Sequence, residues 1–381
     1  MDSISTAILL LLLALVCLLL TLSSRDKRKL PPGPRPLPLL GNLLLLRSQN
    51  MLTSLTQLSK EYGSVYTVHL GPRRVVVLSG YQAVKEALVD QGEEFSGRGD
   101  YPVFLNFTKG NGIVFSNGDR WKVLRRFSIQ ILRNFGMGKR SIEERILEEG
   151  SFLLAELRKT EGEPFDPTFV LSRSVSNIIC SVLFGSRFDY DDERLLTIIR
   201  LINDNFQIMS SPWGEMYICP SLMDWLSGRH RRIFRNFSEL WVFISEQIQQ
   251  HWQMRQPAEP RDFIDCLTRW QQQDPESHFQ EETSVMMTHL FFGDTETTST
   301  TLCYGFLILL KYTEVAAKVQ ELDPVVGWRR APSPDDPERL PYTNAVLLQI
   351  QRFISVVPLG LLCTLPLDIH LHGHCLAKGA H

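Results

Sequence analysis

The chain has 381 residues, 44% of them hydrophobic, and a formal net charge of −2. A chain of this size and composition can bury one sizeable globular core or two smaller ones. Its nearly balanced charge lacks the strong basic excess of a nucleic-acid-binding domain, so no nucleic-acid partner is expected. Its seven cysteines include no Cys-x-x-Cys pair, so neither a disulfide framework nor a zinc ribbon is indicated.

The chain begins with an apolar run from Ile4 to Leu22, followed by a basic cluster at 25–29 and a proline-rich segment at 31–38. A helix of this run would be about 28 Å long, close to the thickness of the hydrocarbon core of a bilayer. The positive charge after the run predicts that the rest of the chain stays in the cytosol. We therefore expect a membrane-anchoring helix at 1–24, a hinge at 25–42 and a cytosolic domain at 43–381.

A cleaved secretory signal peptide is the alternative interpretation of this segment. Such a peptide has a basic start and a shorter apolar core, whereas only Asp2 carries charge before this run. Asn106 and Asn236 each begin a glycosylation acceptor triplet, which a lumenal chain could use and a cytosolic chain could not. A glycosidase-sensitive mass would therefore distinguish the two interpretations.

A basic run at 229–235 follows an aromatic and apolar stretch from Trp213 to Leu226. Such a run is usually the solvated face of a helix. The aromatic stretch could instead enter the surface of a bilayer while the arginines meet lipid phosphates. The sequence leaves both interpretations open.

Hydrophobic periodicity predicts a mainly α fold with a small β part. Residues 52–62 have helical spacing, and two strands at 65–70 and 75–78 form a predicted hairpin. Further helices are predicted at approximately 82–90, 118–134, 140–159, 167–184, 192–209, 233–254, 261–272 and 281–312.

The last of these helices is apolar except for a polar segment at 293–301, which contains Asp294, Glu296 and several hydroxyl side chains. Burial of such groups without partners is costly, so they must be hydrogen-bonded or face a wet cavity. Alternatively, the threonines donate hydrogen bonds to carbonyls of their own helix, as threonines often do. The pattern supports both interpretations equally.

Four features in order resemble the cytochrome P450 family: the proline-rich hinge at 31–38, Trp121 to Arg125, the polar segment Gly293 to Thr298, and Pro341-Tyr342 leading to Gln351-Arg352-Phe353. The chain is similar to microsomal family-two members, closest to subfamily F over residues 1 to about 217 and less similar from there to the end. The resemblance implies a mainly α cytochrome P450 fold, a haem cofactor and a location on the endoplasmic reticulum membrane. It also implies monooxygenation of small apolar compounds or xenobiotics, with electrons that NADPH-cytochrome P450 reductase supplies.

The resemblance assigns roles to particular residues. Arg98, Trp121 and Arg125 would hold the haem propionates, and Trp121 and Arg125 are four residues apart, so they share a helix face. Glu296 and Thr297 match the acid and alcohol pair that delivers protons to dioxygen. The substrate contacts that it implies are Phe104, Phe107, Val114, Phe115, Phe206, Phe292 and Val357.

The sequence also departs from the family. The Phe-x-x-Gly-x-Arg-x-Cys-x-Gly loop that supplies the thiolate ligand of iron is not present in these residues, and the surroundings of Cys363 and Cys375 do not match it. Gln349 stands where the family has a glutamate that pairs with Arg352; loss of one partner of a buried ion pair costs about 3–5 kcal/mol. Asp294 replaces a glycine that faces the porphyrin.

Two smaller departures also indicate that the C-terminal part of the chain has lost features of the family. Cys363 stands where the family has an arginine or histidine that binds a propionate, and Pro324 interrupts a short helical segment. We therefore expect a C-terminally truncated and inactive chain without an axial ligand or metal site of its own. The alternatives are a non-enzymatic membrane protein that competes for the reductase or for other P450 chains, and an unstable product.

The final segment places His370, His372 and His374 at alternate positions, so a single strand would present them on one face. Three such imidazoles could bind zinc or nickel. The family resemblance instead implies an ordinary surface strand.

Overall fold

The computed structural model describes residues 11, 14–15, 30–38, 40–46, 51–135, 140–211, 228–253, 260–273, 280–320, 326, 330–333 and 335–381. Most of the predicted anchor, the aromatic stretch Trp213–Leu226 and Pro324 lie outside these residues. In the described part of the chain, no helix is both long enough and apolar enough to cross a membrane.

The chain divides into two compact units, which are described separately. The first unit comprises Met1–Leu105, Met209–Gly228 and Leu359–His381, and the second comprises Asn106–Ile208 and Arg229–Pro358.

The first unit contains the predicted hairpin. Its elements in chain order are α1 (Met51–Tyr62), β1 (Val65–Leu70), β2 (Arg73–Leu78), α2 (Tyr81–Lys85), a π-helical turn (Glu86–Asp90), β3 (Gly97–Arg98), β4 (Cys363–Thr364), β5 (Ile369–Leu371) and β6 (His374–Leu376). β1 and β2 pair antiparallel, and Leu70 lies opposite Arg73, so a two-residue turn connects them. Gly71 in this turn has φ +61°, the left-handed conformation that tight hairpins favour.

β1 is buried on both sides over its first four residues, and four of its six residues are apolar or aromatic. Val65 joins a core cluster with Phe95 and residues of β5 and β6. Tyr66 and Val68 point the other way, into a cluster with side chains of α1 and β2. The alternation of side chains along a strand thus fills two cores from one segment.

The second unit is helical. Helix α3 (Pro102–Thr108) spans the boundary of the units, and the following helices are α4 (Gly112–Phe115), α5 (Gly118–Asn134), α6 (Arg140–Arg158), α7 (Thr168–Leu183), α8 (Glu193–Met209), α9 (His230–Gln253), α10 (Phe263–Gln273), α11 (Gln280–Lys311), α12 (Thr313–Gln320) and α13 (Pro341–Ile354). A 3₁₀ turn, Asp336–Glu338, precedes α13.

Helix α11 has 32 residues and is central to the second unit, where α4, α7, α9 and α13 pack against it. Three serines of α7 are buried, at positions 172, 174 and 176. Ser176 donates a hydrogen bond to Thr295 of α11 at 3.3 Å between the hydroxyl oxygens. A polar pair therefore lies inside an otherwise apolar helix contact.

A buried carboxylate fixes α6 against α7 and the segment that follows it. Glu149 accepts hydrogen bonds from the Tyr190 hydroxyl at 2.6 Å, from Arg187 Nε at 3.2 Å and from Asn177 Nδ2 at 3.4 Å. Because every partner donates to the same carboxylate, the charge of Glu149 is compensated.

The basic run at the start of α9 is largely a solvated helix face. His230 and Ile233 point inward, while Arg229, Arg231 and Arg235 are exposed. The aromatic stretch of the membrane interpretation lies outside the described residues, so that interpretation stays a prediction.

The three histidines near the C-terminus do not share one strand. His372 lies in the turn between β5 and β6 with φ +48°, and its Nε2 is 3.1 Å from a carboxylate oxygen of Glu86. Among the residues that the structure describes, no group of three or more histidine, cysteine or acidic side chains could hold a metal ion.

Candidate active site

The polar segment of α11 keeps its helical hydrogen bonds, and most of its hydroxyls bond to their own helix. Thr297 Oγ1 donates to the Gly293 carbonyl at 2.9 Å, and Thr301 Oγ1 donates to the Thr297 carbonyl at 2.8 Å. Ser299 Oγ donates to the Glu296 carbonyl at 3.2 Å. The interpretation that these hydroxyls bond back to the helix is therefore confirmed for these three side chains.

Glu296 is the ionisable group at the middle of this segment. One of its oxygens accepts a hydrogen bond from Thr300 Oγ1 at 3.3 Å, and the other accepts one from Asn203 Nδ2 of α8 at 3.5 Å. Burial raises the pKa of this carboxyl, and the hydrogen bond from Thr300 opposes that effect. The result is a carboxyl that holds its proton to a higher pH than a solvated glutamate does.

Asp294 lies one half-turn before Glu296, in a partly buried position. Burial raises the pKa of Asp294 to about 6, so a fraction of this side chain is protonated and uncharged near neutral pH. At the preceding position, a Cβ added to Gly293 would meet no atom within 4 Å. The helix therefore has open space beside Gly293.

Three of the aromatic side chains that the sequence singles out lie in one chain of stacked rings. Phe206 of α8 stacks on Phe292 of α11, with centroids 4.5 Å apart and planes 11° from parallel. Phe237 of α9 lies 5.2 Å from Phe292 and 5.0 Å from Phe107. Sequence reasoning did not identify Phe237, although the apolar spacing of Ile233, Phe237 and Leu240 places it on the buried side of α9.

Phe115 lies in a different contact, against the buried ring of His289. The centroids of these rings are 5.3 Å apart, and neither nitrogen of His289 has a hydrogen-bond partner among the described residues. Burial lowers the pKa of His289 to about 3, so the ring is neutral at physiological pH. Val114, the neighbour of Phe115 in α4, is partly buried.

The remaining residues that are predicted to contact the substrate lie on the surface or in the first unit. Val357 is 53% exposed in the turn after α13. Phe104 lies in the first unit, where its ring is edge-on to Tyr101 at 6.3 Å.

The predicted propionate ligands are arginines and an indole. The Arg125 guanidinium lies over the Trp121 ring, 5.2 Å from its centroid, so the two side chains share a face of α5 as the spacing predicts. In the first unit, Arg98 lies in β3 directly opposite Cys363 of β4.

The free-energy cost that the sequence predicts for glutamine in place of glutamate at position 349 requires a correction. Arg352 Nε donates to Gln349 Oε1 at 2.9 Å, and both side chains are exposed on α13. The amide oxygen thus takes the place of the family's carboxylate as acceptor. Because exposed pairs of this kind contribute only about 0–1 kcal/mol, the cost of breaking a buried ion pair does not apply here.

A protein-family model described as Cytochrome P450 matches residues 31–381 of this chain. The chain belongs to the cytochrome P450 family. Cytochrome P450 2F5 of Gorilla gorilla gorilla is 73% identical over 385 residues, covering 100% of this chain and 78% of that protein. Cytochrome P450 2F1 of Homo sapiens is 72% identical with the same coverage, and cytochrome P450 2G1 of Rattus norvegicus is 50% identical over 92% of this chain.

These relatives confirm the resemblance to subfamily F over the whole chain. Membership of the P450 family carries with it the haem cofactor and the role of a monooxygenase. The mainly helical P450 fold with small sheets is also confirmed.

The donor chemistry of this P450 chain suits the propionates of haem, because guanidinium and indole N–H groups bind carboxylates. Its described cysteines do not suit the iron, which requires a deprotonated thiolate. Burial raises the pKa of Cys180, of Cys303 and of Cys266, the last to about 11, and Cys363 Sγ donates to the Leu361 carbonyl at 3.6 Å. The arginines and the indole thus suit the haem propionates, whereas these cysteines do not suit the haem iron.

Proposed function

We propose that this fold serves haem-thiolate monooxygenation of small apolar organic compounds, with electrons from NADPH that reach it through NADPH-cytochrome P450 reductase. The observation that carries the proposal is the position of Glu296 and Thr297 on the same central helix as Phe292, in a chain that belongs to the P450 family. When bound, haem supplies the activation of dioxygen, which thiolate ligation favours.

Glu296 and Thr297 are proposed to supply protons. Reduction of dioxygen in a monooxygenase consumes two protons, which must enter a pocket that excludes water. The raised pKa of Glu296 supports this role because burial makes its carboxyl hold a proton more readily than a solvated glutamate does. The Thr297 hydroxyl donates a hydrogen bond to the Gly293 carbonyl. Its oxygen keeps lone pairs with which it can accept a hydrogen bond from another group.

Apolar side chains are proposed to contact the substrate. The stacked rings of Phe206, Phe292 and Phe107 offer apolar surface that favours a compound with little polarity. The family resemblance supports further substrate contacts at Phe104, Val114, Phe115 and Val357.

The haem propionates are proposed to be held by Arg98, Trp121 and Arg125.

We further propose that a polypeptide of residues 1–381 by itself does not carry out this reaction, because these residues contain no suitable thiolate loop. The test is the absorbance spectrum of this polypeptide, supplied with haem, reduced and treated with carbon monoxide. We expect no Soret band of the thiolate type, while full-length human cytochrome P450 2F1 prepared in the same way should show one. A thiolate-type band together with product formation would contradict the proposal.

A non-enzymatic, membrane-anchored role is the second candidate. The raised thiol pKa values of Cys180, Cys266 and Cys303 support it, because they disfavour thiolate ligation by these side chains. In this role the chain would compete with other P450 chains for the reductase. Absence of the thiolate band with retained membrane association would favour this candidate.

We also propose that the chain is held on the cytosolic side of the endoplasmic reticulum membrane by an anchor at 1–24 and a hinge at 25–42, with the P450 domain at 43–381. Of the two glycosylation triplets, the structure leaves only the one at Asn106 exposed. Asn236 is 1% exposed, and its Nδ2 donates to Asp204 Oδ2 at 2.8 Å and to Asn205 Oδ1 at 2.9 Å.

The topology predicts no glycosidase-sensitive mass on the chain expressed with microsomes. A control chain with an acceptor triplet added ahead of Met1 should be glycosylated, because the N-terminus is proposed to face the lumen. Glycosylation of Asn106, lost in Asn106→Gln, would contradict the cytosolic placement.

A further inference from the structure

Glu296 receives a hydrogen bond on each carboxylate oxygen, and the two donors come from different helices. Thr300 lies one turn further along α11 and donates to Oε1. Asn203 lies on α8 and donates through Nδ2 to Oε2. The carboxylate is therefore contacted both from its own helix and from α8.

The direction of the Asn203 amide is set by a second amide. Gln207 Nε2 donates to Asn203 Oδ1 at 3.0 Å, from one turn further along α8. Because Oδ1 accepts this bond, the amino end of Asn203 is the end that faces Glu296. This assignment agrees with the chemistry of the site, since an ionised carboxylate can only accept hydrogen bonds.

The hold on Glu296 is loose. Its two bonds measure 3.3 Å and 3.5 Å, longer than the ~2.7–2.9 Å typical of hydrogen bonds to an ionised partner. A carboxylate held in this way can turn without breaking a short bond. Such freedom suits a group that takes up a proton at one position and releases it at another, and the bonds of catalytic groups are often long before substrate binds.

We infer that Asn203 is a positioning residue for Glu296: its amide holds one carboxylate oxygen from α8 while Thr300 holds the other, and Gln207 fixes the direction of that amide. The inference deepens the proposed function, on which it rests only for the role of Glu296 in proton supply. Donation to the ionised carboxylate stabilises that form and opposes the effect of burial. The charge of Glu296 contributes to the raised pKa of Cys303 on α11, and Asn203 and Gln207, the α8 side chains in this hydrogen-bonded series, are uncharged amides.

The test is a pH titration of Glu296 in the full chain. The protonation of its carboxyl is monitored by ¹³C NMR of a sample that is labelled at the glutamate carboxyl carbons. Glu296→Gln identifies the signal by removing it. Asn203→Ala should raise the pKa of Glu296 by about one unit, since the donor to the ionised form is lost. Gln207→Ala should raise it by a smaller amount, because the amide of Asn203 remains but is free to turn.

Asn344→Ala, which removes an exposed amide from α13, is the matched control and should leave the titration unchanged. Asn203→Asp keeps the size of the side chain and serves if the alanine variant does not fold. It replaces the donor by an acceptor carboxylate, so it should raise the pKa of Glu296 further than the alanine does.

An unchanged or lowered pKa of Glu296 in both Asn203 variants would overturn the inference, whatever the spectrum of the haem-supplied chain shows. The titration is done without haem, so its outcome is independent of the monooxygenase proposal. The expected shifts together with a failure of that proposal would leave Asn203 as the residue that positions Glu296 and would remove only the role in proton supply.

Discussion

Two histidines of the second unit, His251 and His289, differ in their tendency to carry a charge because their partners differ. His251 Nδ1 is 3.1 Å from the Gln247 carbonyl oxygen, and its Nε2 is 2.8 Å from Asp262 Oδ2. Both partners are acceptors, so they favour the doubly protonated ring, and the hydrogen bond to Asp262 raises the pKa of His251. His289, by contrast, has no acceptor for either nitrogen among the described residues and stays neutral.

Asp262→Asn tests the ion pair that joins the end of α9 to the start of α10. The hydrogen bond that His251 donates to Asp262 raises the pKa of His251 above its usual 6.5, so the stabilisation is fully present below pH 6.5 and is lost as pH rises through the folded-state pKa. We expect the substitution to lower the free energy of unfolding by about 1–3 kcal/mol at pH 6 and by less at pH 9. Urea denaturation at both pH values measures the difference.

Asparagine keeps the oxygen that accepts the Asp265 amide at the start of α10, so the substitution removes mainly the charge. Asp191→Asn, which changes an exposed aspartate, is the control and should have little effect at either pH. An equal loss at pH 6 and pH 9 in the Asp262 variant would show that the ion pair does not contribute.

At the scale of elements, α4 approaches α11 closely enough to require glycine. Gly112 has φ +79°, and a Cβ added there would lie 2.6 Å from His289 Nδ1. Gly110 in the same loop has a similar φ of +75°, but a Cβ added to it would meet no atom within 4 Å. A substitution at Gly110 would therefore measure the free-energy cost of the left-handed backbone alone. A substitution at Gly112 would add the cost of a steric clash.

We expect Gly110→Ala to lower the free energy of unfolding by about 1–2 kcal/mol, the cost of a left-handed backbone for a residue with a side chain. Gly112→Ala should cost about 1–3 kcal/mol more, because the added methyl displaces the ring of His289. Thermal or urea denaturation of the variants measures both. In a His289→Ala background the difference between the two glycine substitutions should shrink, because only the contact with Val285 Cγ1, at 2.8 Å from the added Cβ, remains. Equal costs in the unmodified chain would refute the close approach.

The short elements show where prediction from sequence failed. The sequence predicts most of the longer helices within a few residues, since α5 and α11 offer several turns of periodic apolar positions. It does not predict α13, which has 14 residues. It misses α3, with 7 residues, and α4, with 4, because one or two turns contain too few positions to establish a period. It places the second strand at 75–78, whereas β2 begins at Arg73, because pairing with Leu70 rather than hydrophobicity extends the strand.

At the scale of the whole molecule, the second unit exposes an apolar face on the last turns of α11 and on α13. Leu307 and Leu310 of α11 are 58% and 77% exposed, and Leu348 and Phe353 of α13 are 60% and 68% exposed. Exposed apolar surface of this extent favours association and binding of apolar dyes.

Leu307→Glu combined with Leu310→Glu should reduce dye fluorescence and self-association in detergent solution. The free energy of unfolding should change by less than about 1 kcal/mol, because neither side chain is buried. Leu183→Glu places a charge at a position that is 1% exposed and should prevent folding, which makes it the contrasting control. Loss of folding in the α11 variant would show that this face is covered.

The sequence by itself determined the family, most of the long helices and the hairpin, because periodicity and ordered motifs are local properties of the chain. It also indicated that Trp121 and Arg125 share a helix face, which four-residue spacing dictates. Only the tertiary structure decided that Phe237 joins Phe107 to Phe292, that Asn203 reaches Glu296, and that Gln349 and Arg352 are exposed. These facts depend on which faces of distant helices meet, and helix packing, unlike helix periodicity, is set by the side chains of both partners together.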